Sequence, residues 1–223
     1  MHVRRQALAF VLTLAVYAAA TAAPPAPRHD FASFRARMED PARAGWQKPY
    51  EVVTRLHLRR GQRVADIGAG TGYFTVRLAR AVGARGRVYA VDIDRSALQY
   101  MRRRFRREKL GQIQVLQGTA DDPKLPVAVD LIFICDTWHH IDKRGAYARA
   151  LRRYLTRTGR LVIVDFKPDA DTAIGPPRQM RLSPEQITEE LRQGGFEVTR
   201  ELDFLPLQYV LTATSGPADR TAR

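Results

Sequence analysis

The sequence predicts an α/β fold: a mostly parallel sheet with helices on both faces, ending in a reversed edge hairpin. Three observations predict it. The runs "RVADIG", "GRVYAVDI", "VDLIFICD" and "GRLVIVDF" are rich in Val, Ile and Leu, as strands covered on both faces are. Helix-length stretches, "YFTVRLARAV", "RSALQYMRRRFRREKL" and "KRGAYARALRRYL", alternate with the strands, the rhythm of parallel strands joined by crossovers. The tail "FEVTRELDFLPLQYVLTAT" holds two β-rich segments split at Pro206 with no helix between them, so these two pair antiparallel.

Taken in order, the chain opens with an export-like segment at 1–23. Arg4 and Arg5 form a basic start, Ala7 to Ala20 is apolar, and small residues lead out of it, the order of a secretory signal or N-terminal anchor. The apolar run is short for a bilayer span. This predicts an exported, periplasmic or inner-membrane-anchored protein; a cytoplasmic chain with an amphipathic start is the alternative. A Pro-rich linker follows at 24–30, then a domain at 31–214 and a frayed tail at 215–223. With 223 residues, 45% of them hydrophobic, the chain supports one full-sized core.

Within the domain, "HDFASFRARMED" gives a short helix that breaks at Pro41. A second helix is expected from Gln47 to Leu58, with Val52, Val53 and Leu56 inward and Pro49 in its first turn. After the alternating elements, with "IQVLQG" as a further strand, "SPEQITEELRQGG" reads as a helix. Ser183 is its N-cap, Pro184 its first residue and Gly194/Gly195 its stop.

Charge and cysteine content bound the partners. Lys and Arg number 37 against 23 Asp and Glu, a formal +14, which favours anionic surfaces, an anionic membrane among them. Arg102, Arg103, Arg106 and Arg107 form a solvated helix face, with Phe105 and Leu110 as its buried contacts. Nucleic acid is disfavoured, because aromatics are not interleaved with the basic residues as stacking needs. Cys135 is the single cysteine, so no intramolecular disulfide forms; inside an apolar strand it reads as a small core residue.

The chemistry gathers in "VADIGAGTGYF". Gly68, Gly70 and Gly72 stand where a strand turns into a helix, permitting positive φ and close backbone approach to a ligand. A dinucleotide loop has G-x-G-x-x-G over a pyrophosphate. Here the spacing is G-x-G-x-G, and Asp66 precedes it. A carboxylate there repels phosphate and suits an ammonium group. Asp92 closes the next strand, where a carboxylate accepts both hydroxyls of a ribose, while Asp94 is the better helix cap. Asp121, after the third strand, is placed for an adenine amine, and Asp122 before Pro123 for a turn. Adenine, ribose and a cationic end without a phosphate chain describe S-adenosylmethionine.

From Trp46 to Thr214 the chain resembles the class I S-adenosylmethionine-dependent methyltransferases, through "VADIGAGTGYF", "VYAVDID", "GTADDPKLP", "VDLIFICDTWHHI" and "LRRYLTRTGRLVIVDF". The resemblance implies a Rossmann-like seven-stranded sheet of order 3-2-1-4-5-7-6 with its last strand antiparallel. It implies that Asp66, Gly68, Gly70 and Gly72 line the methionine end, that Asp92 holds the ribose and that Asp121 meets the adenine, with Ile93 and Asp136 completing the cofactor set. Motifs of the "N/D-P-P-Y/F" type, carried by base-directed members, are replaced here by "DTWH", which points to a small-molecule acceptor. A non-catalytic exported binding module retaining this fold is the second reading.

The fourth strand ends in "CDTWHHI", placing Asp136, Trp138, His139 and His140 at the carboxyl rim, where reacting groups gather. His139 or His140 is expected as base or acceptor-positioning group beside Asp136. No third His or Cys stands at ligand spacing, so no metal is expected. Asp165, Lys167, Gln208 and Tyr209 are further candidates for acceptor contact, and Trp46 and Gln47 for a roof over the cofactor.

Overall fold

The structure is a computed structural model and describes residues 30–216. The export-like segment, the Pro-rich linker but for its last residue, and the tail beyond residue 216 lie outside the described residues.

Seven strands form one sheet of order β3-β2-β1-β4-β5-β7-β6, as the family resemblance implies. The strands are β1 (Arg63–Ile67), β2 (Arg87–Asp92), β3 (Ile113–Gln117), β4 (Val129–Cys135), β5 (Leu155–Phe166), β6 (Phe196–Leu202) and β7 (Gln208–Ser215). β1 pairs parallel with β2 and β4, β2 with β3 and β4 with β5, whereas β7 runs antiparallel to both β5 and β6. All parallel strands therefore point their carboxyl ends to one rim.

Alternation along the central strands supplies two cores. Val64, Leu131, Phe133, Val162 and Val164 pack with α3 (Pro49–Arg55) and α4 (Tyr73–Val82) through Val52, Val53, Phe74 and Leu78. Their neighbours Ala65, Ile132, Ile134, Leu161 and Ile163 pack on the other face with α6 (Arg144–Arg152) and α7 (Pro184–Gln193), through Tyr147, Leu151, Ile187 and Leu191. Burying each large aliphatic side chain contributes about 1.5–3 kcal/mol. α5 (Arg95–Arg107) seats Leu98, Met101 and Phe105 against Ala69, Val76 and Ala90. Asp94 caps it, accepting from Ser96 N at 2.6 Å. A capping box between Ser183 and Gln186 starts α7.

Two expected boundaries change. The helix read from Gln47 to Leu58 is two helices: α2 (Arg43–Gln47) ends at Lys48, which takes φ 43°, and α3 begins at Pro49. The residue before a proline is pushed out of the right-handed helical region, and α3 stops at Arg55. β5 begins at Leu155 rather than Gly159, because the segment before Gly159 joins β4 through a register shift between Val129 and Leu131. Ahead of α2 stands α1 (Phe31–Met38).

Candidate active site

The glycine loop joins β1 to α4, and all three glycines are left-handed, with φ 71° at Gly68, 58° at Gly70 and 81° at Gly72. Sterics also require glycine at two of them. A Cβ on Gly68 would collide with the Thr137 side chain, and one on Gly72 with the Phe105 ring. Asp92 holds the loop from the side: its Oδ2 accepts from Gly70 N at 2.7 Å and its Oδ1 from Asp94 N at 2.9 Å. Burial raises the Asp92 pKa above the ordinary carboxylate value, and its bonds to backbone amides offset part of that rise. Each oxygen keeps a lone pair for a further donor.

Asp66 stands at the end of β1, just before the loop. It is 3% exposed and accepts from Thr75 Oγ1 at 2.5 Å. Burial pushes its pKa up to about 7; the Thr75 hydrogen bond and nearby Arg43 oppose the rise, and the Asp92 charge adds to it.

α1 and α2 lie over this end of the sheet. Phe34 faces Gly70, 3.4 Å from where a Cβ would stand, and Phe31 packs on Tyr100 of α5 at 5.7 Å between centroids. Glu39 pairs with Arg104 at 2.6 Å, and Arg104 also donates to Thr71 O at 3.1 Å.

The rim beyond β4 is a polar knot. Asp136 adopts φ 53°. Its Oδ2 accepts from Gln47 Nε2 at 2.9 Å and pairs with Arg43 at 3.4 Å, while its Oδ1 accepts from Gln208 Nε2. Gln47 also donates to Gln208 Oε1 at 3.0 Å and to Cys135 Sγ at 3.1 Å. Arg43 bonds Gln47 and Met38 O and lies 4.3 Å from the Tyr73 ring centroid. Burial raises the Asp136 pKa, with the charge of Asp165 adding to it and Arg43 opposing it. Burial likewise holds the Cys135 thiol well above its usual range.

The histidines differ. His139 Nδ1 is 2.8 Å from Asp165 Oδ1, with side-chain exposures of 2% and 0%. Asp165 Oδ1 also accepts from Phe166 N, while its Oδ2 has no hydrogen-bond partner among the described residues. His140 is exposed, its ring 4.2 Å from that of His139. Trp138 turns away into the core and donates to Glu190 at 2.9 Å.

Beyond the end of β5, Trp46 packs on Phe166 at 5.5 Å. The loop after β5 is organised by Arg181, whose guanidinium donates to the carbonyls of Ala170, Thr172, Ile174 and Pro176 at 2.6–3.3 Å. Three candidates for acceptor contact have partners within the protein: Tyr209 donates to Leu182 O, Lys167 pairs with Asp203, and Gln208 donates to Asp136. Asp121 is exposed on the β3–β4 connection, which begins at Gly118 bonded to Asp92 O, and Asp122 holds that turn through Lys124 N at 2.7 Å and Tyr154 OH at 2.8 Å. Ile93 is 62% exposed beside Asp92. Arg43, the hub of the knot, carries no local sequence signal beyond its placement one helical turn before Gln47.

A family model described as a methyltransferase domain matches residues 58–204. The chain belongs to the methyltransferase-domain family. Over 173 residues the methyltransferase is 29% identical to the ubiquinone/menaquinone biosynthesis C-methyltransferase UbiE of Vibrio campbellii, covering 64% of this chain and 67% of that one. It is 34% identical to the protein of the same name from Azotobacter vinelandii over 122 residues, 53% of this chain and 47% of that one. The chain thus spans about half the length of several curated relatives. Among solved structures, an S-adenosylmethionine-dependent methyltransferase from Aquifex aeolicus matches with TM-score 0.77 and 25% identity over 83% of this chain and 98% of that one.

The methyltransferase uses S-adenosylmethionine, which supplies a methyl group already activated on a sulfonium. The residues present fit it. The left-handed glycines form a cradle that a Cβ would fill, and the flanking acidic groups, Asp66 and Asp92, suit a nucleoside without phosphates.

Proposed function

We propose that the methyl acceptor is a small hydroxylated aromatic ring, and that His140 receives its hydroxyl proton. The observation that carries this reading is the pairing of one exposed imidazole with one buried one. His140 is exposed at the end of the turn after β4, whereas His139 is buried and bonded to Asp165. A buried carboxylate accepting from His139 Nδ1 fixes that ring's tautomer and orientation, and His139, packed at a tilt against the His140 ring, in turn steadies the short turn carrying both. Removing a hydroxyl proton raises electron density at the ring carbon beside it. That carbon takes the methyl group as the methyl's bond to sulfur breaks, and then loses its own hydrogen as a proton to water, which restores the aromatic ring.

The ring class is taken from the relatives, which are named for quinone biosynthesis. Asp92 and the glycine cradle are proposed to hold the ribose and the methionine end. Asp136, locked by Gln47 and Gln208, is proposed to shape the wall between cofactor and acceptor. The test supplies methyl-labelled S-adenosylmethionine with quinols, simple phenols or RNA and follows the label. Labelled quinol, with His140→Ala slowed about 10²–10⁴-fold as expected for loss of a general base, supports the proposal. Label on RNA alone, or an unaffected His140→Ala, overturns it.

A further inference from the structure

The outer side of α5 is more basic than solvation of a helix needs. Arg95, Arg102 and Arg106 recur along one row, and Arg103 and Arg107 along the next, with Lys109 just beyond the helix end. All six are exposed, and none is in an ion pair among the described residues. The nearby carboxylates do not cancel them. Glu39 and Glu108 are both taken by Arg104, and Asp94 is spent on the helix cap. α1 extends the surface: it packs along α5 through Phe31 and Tyr100 and adds exposed Arg35 and Arg37.

We propose that this α5–α1 face docks on the anionic headgroups of a phospholipid bilayer. Clustered Lys and Arg are drawn to such a surface, each adding to the attraction. Two observations select a bilayer over nucleic acid. Tyr100, the aromatic on this side of α5, is covered by Phe31 and lies under Arg35, 5.8 Å from its ring centroid, so it offers no open ring for base stacking. The chain also enters α1 from the apolar run Ala7 to Ala20, preceded by Arg4 and Arg5. Residues 21–30 separate that run from α1 in the sequence, a tether of at most about 35 Å when extended. The proposal is independent of the acceptor reading.

The test uses the full chain with sedimenting vesicles of phosphatidylcholine, with and without phosphatidylglycerol. The expected result is at least about tenfold more binding with phosphatidylglycerol, an increment lost at high salt because exposed charges are screened. Reversing Arg102, Arg103, Arg106 and Arg107 to Glu removes that increment. Reversing Arg59, Arg60, Arg157 and Arg200 to Glu changes net charge equally and retains most of it. If either reversal lowers Tm, the corresponding four-glutamine variant replaces it. The proposal is overturned if phosphatidylglycerol adds nothing, if both sets lose the increment equally, or if duplex RNA at matched phosphate concentration strips the protein from the vesicles.

Discussion

The Gly70 amide donates to Asp92 Oδ2 across 2.7 Å, so the end of β2 sets the height of the glycine loop above β1. The same carboxylate accepts from Asp94 N, which makes loop geometry and the proposed ribose contact depend on one side chain.

Replacing Asp92 with Ala therefore removes two internal hydrogen bonds and the acceptor offered to the sugar. Hydrogen bonds to charged groups contribute about 1.5–3 kcal/mol each, so S-adenosylmethionine affinity is expected to fall at least tenfold, with a lower Tm. Calorimetric titration of Asp92→Ala and Asp92→Asn, scored beside thermal melts, separates the two effects. Unchanged affinity in Asp92→Ala rules out the ribose role.

Gly68→Ala meets two obstacles: a left-handed φ and the Thr137 side chain. The conformational part alone costs about 1–2 kcal/mol, and the clash adds to it. The double variant Gly68→Ala/Thr137→Gly is expected to recover stability in chemical denaturation more than cofactor binding. Full recovery of binding would mean that the cradle needs only space.

Asp66 gives a pH signature. Its folded value is about 7 against 3.8 for the unconstrained group. Between these values the folded state keeps a proton that the unfolded chain has lost, so the contribution of Asp66 to stability falls as pH rises from about 4 to 7 and is constant above. Asp66→Asn is expected to flatten this dependence, read from denaturation midpoints across that window. Binding of a cation beside Asp66 favours its ionised form, so cofactor affinity in the wild type should rise with pH toward 7.5 and level off. A slope of the same size in Asp66→Asn would place the responsible group elsewhere.

α1 closes on the loop through Phe34 and through the Glu39–Arg104 pair. Glu39→Gln and Phe34→Ala should raise amide exchange in residues 31–38 and speed cofactor dissociation several-fold, measured by stopped flow, while leaving global unfolding nearly unchanged. Slower dissociation in either variant would show that α1 does not cover the ligand.

The strands were legible because burial on both faces leaves continuous apolar runs, as in "VDLIFICD", and the hairpin because Pro206 divides two β-rich segments. The caps at Asp94 and Ser183 were legible because capping is local chemistry. What escaped was long-range or decided by one backbone angle. The break at Lys48 was masked because Pro49 also suits the interior of a first turn. Arg43 resembled any exposed arginine of a short helix, and only the approach of β4 and β7 to α2 turns it into the partner of Asp136. Both histidines lie in the short turn after β4, yet no local pattern distinguishes the one that finds Asp165, since that carboxylate arrives from another strand.

The four oxygen atoms that receive Arg181 all belong to the main chain. The contour of the segment from Ala170 to Pro176 is consequently held mainly through its backbone, with two side-chain conditions: Gly175 is left-handed with the Phe166 ring where a Cβ would stand, and Thr172 Oγ1 accepts from Ile174 N. At the remaining positions a lineage is free to exchange side chains while one guanidinium keeps the scaffold beneath them in place.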